Sequence, residues 1–292
     1  MNSTLILKNV YKKYEKSNFA IKDISFSVPE GSIVGFIGEN GAGKSTTMNC
    51  ILNVIRRDSG TIEIFGREMT DEDIDIRENI GVVYDSNNFP EYLTAKQLAD
   101  ILGRIYSKWD DFCFEQFLRR FGLPESQKIK TYSRGMSMKL AIAVALSHDS
   151  KLLILDEATS GLDPVMRDEI LDVLLEFVKQ ENHSILLSSH ITSDLEKIAD
   201  YIVFIHNGEI ILNKTKDELI YEYGVIRCSE NDFHNILSED ILSSMKKDYQ
   251  IDVLIKNKKL MEKKYKNLII DSVSLDEIML LLAKGERNAR ID

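Results

Sequence analysis

The sequence is poor in cysteine and in long apolar runs, and each shortage excludes a class of protein. Its three cysteines, Cys50, Cys113 and Cys228, are too far apart for a disulfide framework or a zinc site, which favours a reducing cytoplasm. No apolar run approaches the roughly 20 residues that cross a bilayer. The first residues also lack the charged and apolar segments of a signal peptide. If the chain serves a membrane, we expect the membrane-spanning part to be another protein.

Basic residues are also fewer than acidic residues. The 37 Lys and Arg residues face 47 Asp and Glu residues, which gives a net charge of -10. A net negative charge disfavours general binding to phosphate backbones and anionic lipids, so we expect no nucleic-acid partner. Any contact with a membrane should therefore be made through protein. The hydrophobic content of 43% is ordinary for a folded globular chain.

Apolar periodicity in the first part of the chain predicts strands around a glycine-rich loop. Alternating apolar residues in 5–10 and 24–28 predict an antiparallel start. Residues 33–37 form an apolar run that ends in the glycine-rich loop, and apolar residues at helical spacing follow as far as Ile55. The loop is therefore expected between a strand and a helix.

The middle of the chain predicts a helical insertion followed by a parallel sheet. Residues 93–147 have mainly helical spacing, and buried strands return at 152–155 and 185–187. A helix that begins after Asp163 separates these strands, and the order strand, helix, strand predicts parallel pairing. A hairpin at residues 201–212 is expected to close the main domain.

The domain boundaries follow from a change in composition beyond Lys214. We expect a main domain at residues 1–214 that contains a helical subdomain at about 88–150, and an accessory region at 215–292. The elements expected in the accessory region are lysine-rich loops at 256–266, a strand at 268–270 and a helix at 275–283. Dimer support, regulation and partner docking all remain open as roles for this region.

The glycine-rich loop has the spacing of a phosphate-binding P-loop. Its glycines let backbone N–H groups converge on phosphate oxygens at the start of a helix. In this motif Lys44 reaches the β- and γ-phosphates, and the hydroxyl of Ser45 is a Mg²⁺ ligand. The predicted ATP-binding residues of the loop are Gly38, Glu39, Asn40, Gly41, Ala42, Gly43, Lys44, Ser45 and Thr46.

Two carboxylates follow the buried strand of residues 152–155. Asp156 and Glu157 are expected at the carboxyl end of a parallel strand, where ligand sites lie. Asp156 is the expected partner of Mg²⁺, either directly or through water. Glu157 is expected to accept a proton from, or to orient, the water that attacks the γ-phosphate. Taken alone, the pair could instead cap a following turn.

Further motifs identify the chain as similar to the ABC ATPases. The string LDEATSGLDP at residues 155–164 resembles the joined Walker B motif and D-loop of that family, YSRGM at 132–136 resembles its signature, and SSH at 188–190 resembles its switch-histidine motif. With the P-loop, the resemblance covers about residues 5–215. It implies an α/β fold of the P-loop ABC-ATPase type: a mixed sheet core, an antiparallel β subdomain, a helical subdomain and a small α+β extension.

The resemblance also implies a shared site in a head-to-tail dimer. ATP on one P-loop would be covered by the signature of a second ATPase subunit, identical or related, through Ser133, Arg134, Gly135 and Met136, with Asp163 of the D-loop as a further contact. His190 is then the expected switch residue, which would act beside Glu157 and Lys44. Tyr14 is expected to stack on adenine, although Tyr11 is close enough to be confused with it.

Two positions depart from the pattern of the family. Asp85 stands where a glutamine is usual, at the end of a strand, and either reaches Mg²⁺ through water or caps the loop. Arg134 replaces a signature glycine and Met136 a glutamine, but Ser133 and Gly135 are kept. Arg134 either contacts phosphate or remains solvated.

The motifs together predict a cytoplasmic MgATPase subunit that is held at the inner face of the cell membrane by a separate transmembrane permease. These departures, the run TSGLDP at residues 159–164 and the segment at residues 271–278 resemble the ATPases of bacterial exporters, including exporters of peptides and antimicrobials. The alternative is a soluble ABC-type ATPase that is not tied to transport. A P-loop kinase or a GTPase lacks support, because neither a phosphate-acceptor site nor a guanine-specific motif is present.

Overall fold

Three β-sheets and the helices between them form the described part of the chain, which in this computed structural model comprises residues 2–14, 19–70, 72–85 and 89–287. The strands are β1 Ser3–Lys13, β2 Ala20–Pro29, β3 Ile33–Ile37, β4 Ser59–Ile64, β5 Arg67–Glu68, β6 Ile80–Val83, β7 Leu152–Asp156, β8 Ser184–Ser189, β9 Tyr201–His206, β10 Glu209–Thr215, β11 Gly224–Cys228, β12 Ser243–Lys246, β13 Ile251–Ile255, β14 Ile270–Ser272 and β15 Glu286–Arg287.

The helices lie between these strands. They are α1 Lys44–Ile51, α2 Ile74–Glu78, α3 Ala95–Ile105, α4 Asp111–Arg120, α5 Arg134–Leu146, α6 Pro164–Val178, α7 Thr192–Ile198, α8 Lys216–Glu222, α9 Glu230–Phe233, α10 Lys258–Lys264 and α11 Leu275–Lys284, with short 3₁₀ turns at Ile129–Thr131 and Ser238–Asp240. Among the helices of the described residues, none is both long enough and apolar enough to cross a bilayer.

The central sheet is mixed, as predicted. Its strand order is β10-β9-β3-β8-β7-β6, and β10 is the antiparallel strand at one edge. Every residue of β3 and β8 is buried, which explains their continuous apolar runs, because helices cover both faces of a parallel sheet. Since β3, β8 and β7 are neighbours, the loops after their carboxyl ends lie side by side.

The antiparallel sheet and the helical segment are also found. The antiparallel sheet has the order β2-β1-β4-β5, and its apolar face shares a core with Met48 and Ile51 of α1. The helical segment contains α3, α4 and α5. Thr94 begins α3 with a capping box completed by Gln97, and Asp110 caps α4 by accepting from the Cys113 N–H at 2.9 Å.

One predicted helix end and one predicted loop segment were wrong. Helix α1 ends at Ile51, not near Ile55, because Asn53 adopts a left-handed conformation (φ 53°) that turns the chain out of the helix. The lysine-rich segment predicted as loops contains helix α10. Its signal was weak because Met261 is buried and Leu260 exposed, so no apolar stripe marks its face.

The C-terminal region forms a sheet that the sequence pattern largely missed. Five antiparallel strands lie in the order β14-β11-β13-β12-β15, where only one strand, at residues 268–270, was expected; β14 begins two residues later than its predicted start. Strand β13 is buried at every residue and carries little alternation, so its period gives no strand signal. Residues 288–292 of the predicted region lie outside the described residues.

The C-terminal region packs on the helix that follows His190. Ile278 and Leu282 of α11 belong to the same buried core as Leu195 of α7. The Glu196 carboxylate accepts from the Leu275 N–H at 3.0 Å, which adds a polar contact at the start of α11. The boundary at residue 214 stays a prediction, but the apolar core extends across it.

Helix α11 offers a matched test of this packing, because Leu282 is fully buried and Leu280 is 38% exposed. We expect Leu282→Ala to lower the free energy of unfolding by about 2–5 kcal/mol, since it leaves a cavity in the shared core. Leu280→Ala should change it by less than about 0.5 kcal/mol. Urea titration followed by circular dichroism measures both; equal effects would mean that α11 does not anchor the core.

Candidate active site

The glycine-rich loop connects β3 to α1, as predicted. Gly43 has a φ of 118°, which disfavours any residue with a side chain, and a Cβ there would come within 2.8 Å of Ile21. A Cβ on Gly38 would lie 2.6 Å from the carbonyl oxygen of Ile205. Within the described residues no side chain caps the start of α1. Its first N–H groups can therefore bind an anion.

Lys44 is folded into the site. Its side chain is only 6% exposed, and its Nζ donates to the carbonyl of Gly38 at 2.7 Å and lies 3.1 Å from Oε1 of Glu157. A buried ammonium group is stable only when it is paired, so these oxygens fix the lysine at the floor of the loop.

Asp156 receives two hydroxyl groups at the end of β7. Ser45 Oγ donates to its Oδ2 at 2.7 Å and Ser188 Oγ donates to its Oδ1 at 2.5 Å. Mg²⁺ in phosphate sites is held by one or two protein oxygens together with phosphate and water. The hydroxyl of Ser45 and the carboxylate of Asp156 fit this requirement. In the described part of the chain no three acidic, His or Cys residues cluster as a metal cage.

Glu157 is turned toward both Lys44 and His190 by a left-handed backbone conformation. Its φ is 55°, which is uncommon for a residue with a side chain and is held here by hydrogen bonds from its N–H to the carbonyl and hydroxyl oxygens of Ser188, each at 3.2 Å. Its Oε2 accepts from Nδ1 of His190 at 2.6 Å. Lys44, Glu157 and His190 thus form one continuous chain of contacts.

A cleft of about 510 Å³ opens above these groups. It collects most of the predicted nucleotide and metal residues. Its lining residues are Phe19, Glu39, Asn40, Gly41, Gly43, Lys44, Ser45, Thr46, Asp85, Asp156 and Glu157. Two predicted loop residues do not line the cleft. They are Gly38, whose carbonyl accepts from Lys44, and Ala42, which is buried.

Phe19 is the cleft residue that the sequence interpretation missed. It packs against the P-loop, where a Cβ added to Gly43 would lie 3.2 Å from the edge of the Phe19 ring. Tyr14 also reaches the loop, through a 3.4 Å contact between its hydroxyl and Oγ1 of Thr46. Tyr11 is a residue of β1 and pairs with Ser59. An aromatic residue just before β2 was the available signal for Phe19, but the two tyrosines masked it.

None of the signature residues lines the cleft of its own chain, although the Arg134 side chain contacts the cleft residue Asp85. Ser133 caps α5 by accepting from the Met136 N–H at 3.2 Å, and Asp163 caps α6 by accepting from two backbone N–H groups at 3.0 Å. A Cβ on Gly135 would lie 2.5 Å from the sulfur of Met166, so this glycine allows α5 and α6 to pack closely. Nucleotide contacts for these residues stay predictions.

Asp85 lines the cleft, but its partner in this structure is Arg134, with which it forms an ion pair. The two departures from the family pattern therefore contact each other. The predicted metal role of Asp85 stays a prediction.

Comparison with known proteins connects this geometry to a family. The family model described as "ABC transporter" matches residues 21–160. The ABC transporter ATP-binding protein YtrB of Bacillus subtilis is 34% identical over 206 residues, which cover 70% of each chain. This protein belongs to the ABC transporter ATP-binding family. The bacitracin transport ATP-binding protein BcrA of Bacillus licheniformis is 35% identical over 72% of this chain and 69% of its own.

The solved structures agree with this assignment. A chain described as the ATP-binding subunit of an ABC transporter superposes with a TM-score of 0.68 at 30% identity, covering 74% of this chain and 92% of that one. The fold is therefore that of an ABC nucleotide-binding domain, and the chain is an ATP-binding ATPase.

Lys44→Ala tests the floor of the site in this ABC ATPase. We expect ATP binding to weaken by about tenfold or more, because a charge-assisted contact to phosphate contributes about 1.5–3 kcal/mol. Titration with a fluorescent ATP analogue measures the change. Lys108→Ala, which removes an exposed ammonium paired with Asp149, is the control and should bind normally. Equal ATP affinities of the Lys44 variant and the parent would contradict the phosphate-binding role of Lys44.

Proposed function

We propose that this ABC ATPase energises a bacterial exporter whose membrane-spanning part is a separate permease. The contact chain of Lys44, Glu157 and His190 beside the start of α1 carries the ATP-hydrolysis part of the proposal. Similarity to a bacitracin transport subunit supports transport over the alternative of an ATPase unrelated to membranes. The proposed location is the cytoplasmic face of the membrane, reached through the permease.

ATP binding should rearrange the contact chain. The phosphates would occupy the N–H groups at the start of α1, and Lys44 would turn from Glu157 toward them. Glu157 Oε1 would then be free to orient the attacking water and accept its proton, while Oε2 remains bonded to His190. His190 would thereby position Glu157, and its imidazole would also lie within reach of a hydrogen bond to the γ-phosphate. Ser45 and Asp156 would hold Mg²⁺, which neutralises phosphate charge when bound.

The signature residues do not line the cleft of their own chain, which supports a site that two subunits share. Ser133 to Met136 lie at the start of α5, where the helix dipole favours a phosphate. We propose that they cover ATP bound by a second ATPase subunit, identical or related, in a head-to-tail dimer. Closure would be passed to the permease by the segment after Asp85, of which residues 86–88 lie outside the described residues.

Glu157→Gln tests the proposed base. We expect the ATPase rate to fall by about 10²–10⁴-fold, the usual contribution of a general base, while ATP binding is retained or tightened, because the amide has the same shape and no longer pairs as a charge with Lys44. Phosphate release and ATP titration measure the two quantities. Glu176→Gln, on the exposed surface of α6, serves as the matched control and should hydrolyse ATP normally. A Glu157 variant with near-normal turnover would exclude the role.

The permease can be tested in the native cells. The tagged chain, extracted from membranes with mild detergent, should recover a multi-span protein in stoichiometric amount, because no described helix of this chain can serve as the pore. The ATPase rate of that complex should respond to its cargo. An untagged chain controls for adhesion. Repeated recovery of the ATPase alone would refute the transporter proposal without affecting the ATPase assignment.

A further inference from the structure

Arg134 lies at the meeting point of three segments of the chain. Its guanidinium pairs with Asp85, which follows β6, although the two residues are 49 positions apart. The same guanidinium lies over Gly161, in the loop after β7: a Cβ on that glycine would be 3.0 Å from Nη1 and 3.1 Å from Cζ. Gly161 has a φ of 70°, a left-handed conformation that favours glycine.

The position of Arg134 on its helix is electrostatically unfavourable without a partner. It is the first residue of α5, where the partial positive charge of the helix dipole is concentrated. The carboxylate of Asp85 offsets this repulsion. A terminal phosphate that approaches the start of α5 would offset it better, because it carries more negative charge than a carboxylate and also accepts two parallel hydrogen bonds from a guanidinium.

The ion pair is weak enough to be exchanged. The side chains of Arg134 and Asp85 are 52% and 55% exposed, so solvent screens their attraction. Pairs of this kind change an equilibrium by about fivefold at most. A phosphate in a closed, water-poor interface competes strongly with such a partner.

We infer that Arg134 changes partners during the ATPase cycle. Asp85 pairs with its guanidinium before the subunits close, and the γ-phosphate of ATP on a second subunit replaces Asp85 when they close. Arg134 is thus a phosphate ligand that rests beside Asp85 before the subunits close, and Asp85 is the partner with which the phosphate competes. The inference rests on the shared ATP site proposed above and deepens it, since it assigns one function to both departures from the family pattern.

The test measures MgATP-dependent dimerisation of the full chain by sedimentation equilibrium, in a Glu157→Gln background that retains ATP. Arg134→Ala should weaken the dimer at least about tenfold, because it removes a charged phosphate contact. Asp85→Asn should tighten it by about two- to fivefold, because the competing carboxylate is gone. The effect of Asp85→Asn should vanish in a chain that also carries Arg134→Ala. Thermal melting confirms that each variant is folded.

Arg120 and Glu176 provide matched controls, because they form a similar exposed ion pair between α4 and α6. Arg120→Ala and Glu176→Gln should leave dimerisation unchanged. If Asp85→Asn weakens the dimer both with and without Arg134→Ala, Asp85 acts on Mg²⁺ and the inference is wrong. It is also wrong if Asp85→Asn has no effect, or weakens the dimer only when Arg134 is present. A parent that never dimerises with MgATP refutes the shared site itself.

Discussion

The ion pair between Lys44 and Glu157 is the contact on which the arrangement of the site depends. An ammonium that is 6% exposed requires oxygen partners, and these come from the P-loop carbonyl of Gly38 and from a carboxylate at the end of β7. The pair therefore joins the first half of the nucleotide domain to the second. In the proposed mechanism, ATP would compete with Glu157 for the lysine. This competition would couple nucleotide binding to the release of the proposed base.

The central sheet explains why this contact forms where it does. Strands β3, β8 and β7 are adjacent and parallel, so their carboxyl ends deliver the P-loop, His190 and the acidic pair to one edge. The left-handed backbone at Glu157 then aims its carboxylate at both neighbours. The C-terminal region packs on α7, directly after His190, through Leu195 and Glu196. A displacement of His190 would therefore shift α7 and the C-terminal region that packs against it.

Motifs with fixed spacing could be interpreted without the structure, because their function requires particular residue types. The P-loop, Asp156 and Glu157 lie in one cleft, and the N-caps Ser133 and Asp163 begin the expected helices. Phe19 was missed because Tyr11 and Tyr14, in and just after β1, were the aromatic residues expected to reach the nucleotide. The strands of the C-terminal sheet were missed because β13 is buried on both faces and lacks the alternation that marks a half-buried strand.

The sequence by itself determined the phosphate-binding loop, the acidic pair, the mixed sheet and the family, since each depends on local spacing or on a continuous apolar run. Only the tertiary structure decided which of these groups contact one another. Asp85 and Arg134 were two separate anomalies in the sequence, and the fold makes them an ion pair across 49 residues. Such a contact leaves no local periodicity, because it is set by the packing of α5 and the loop after β7 beside the end of β6.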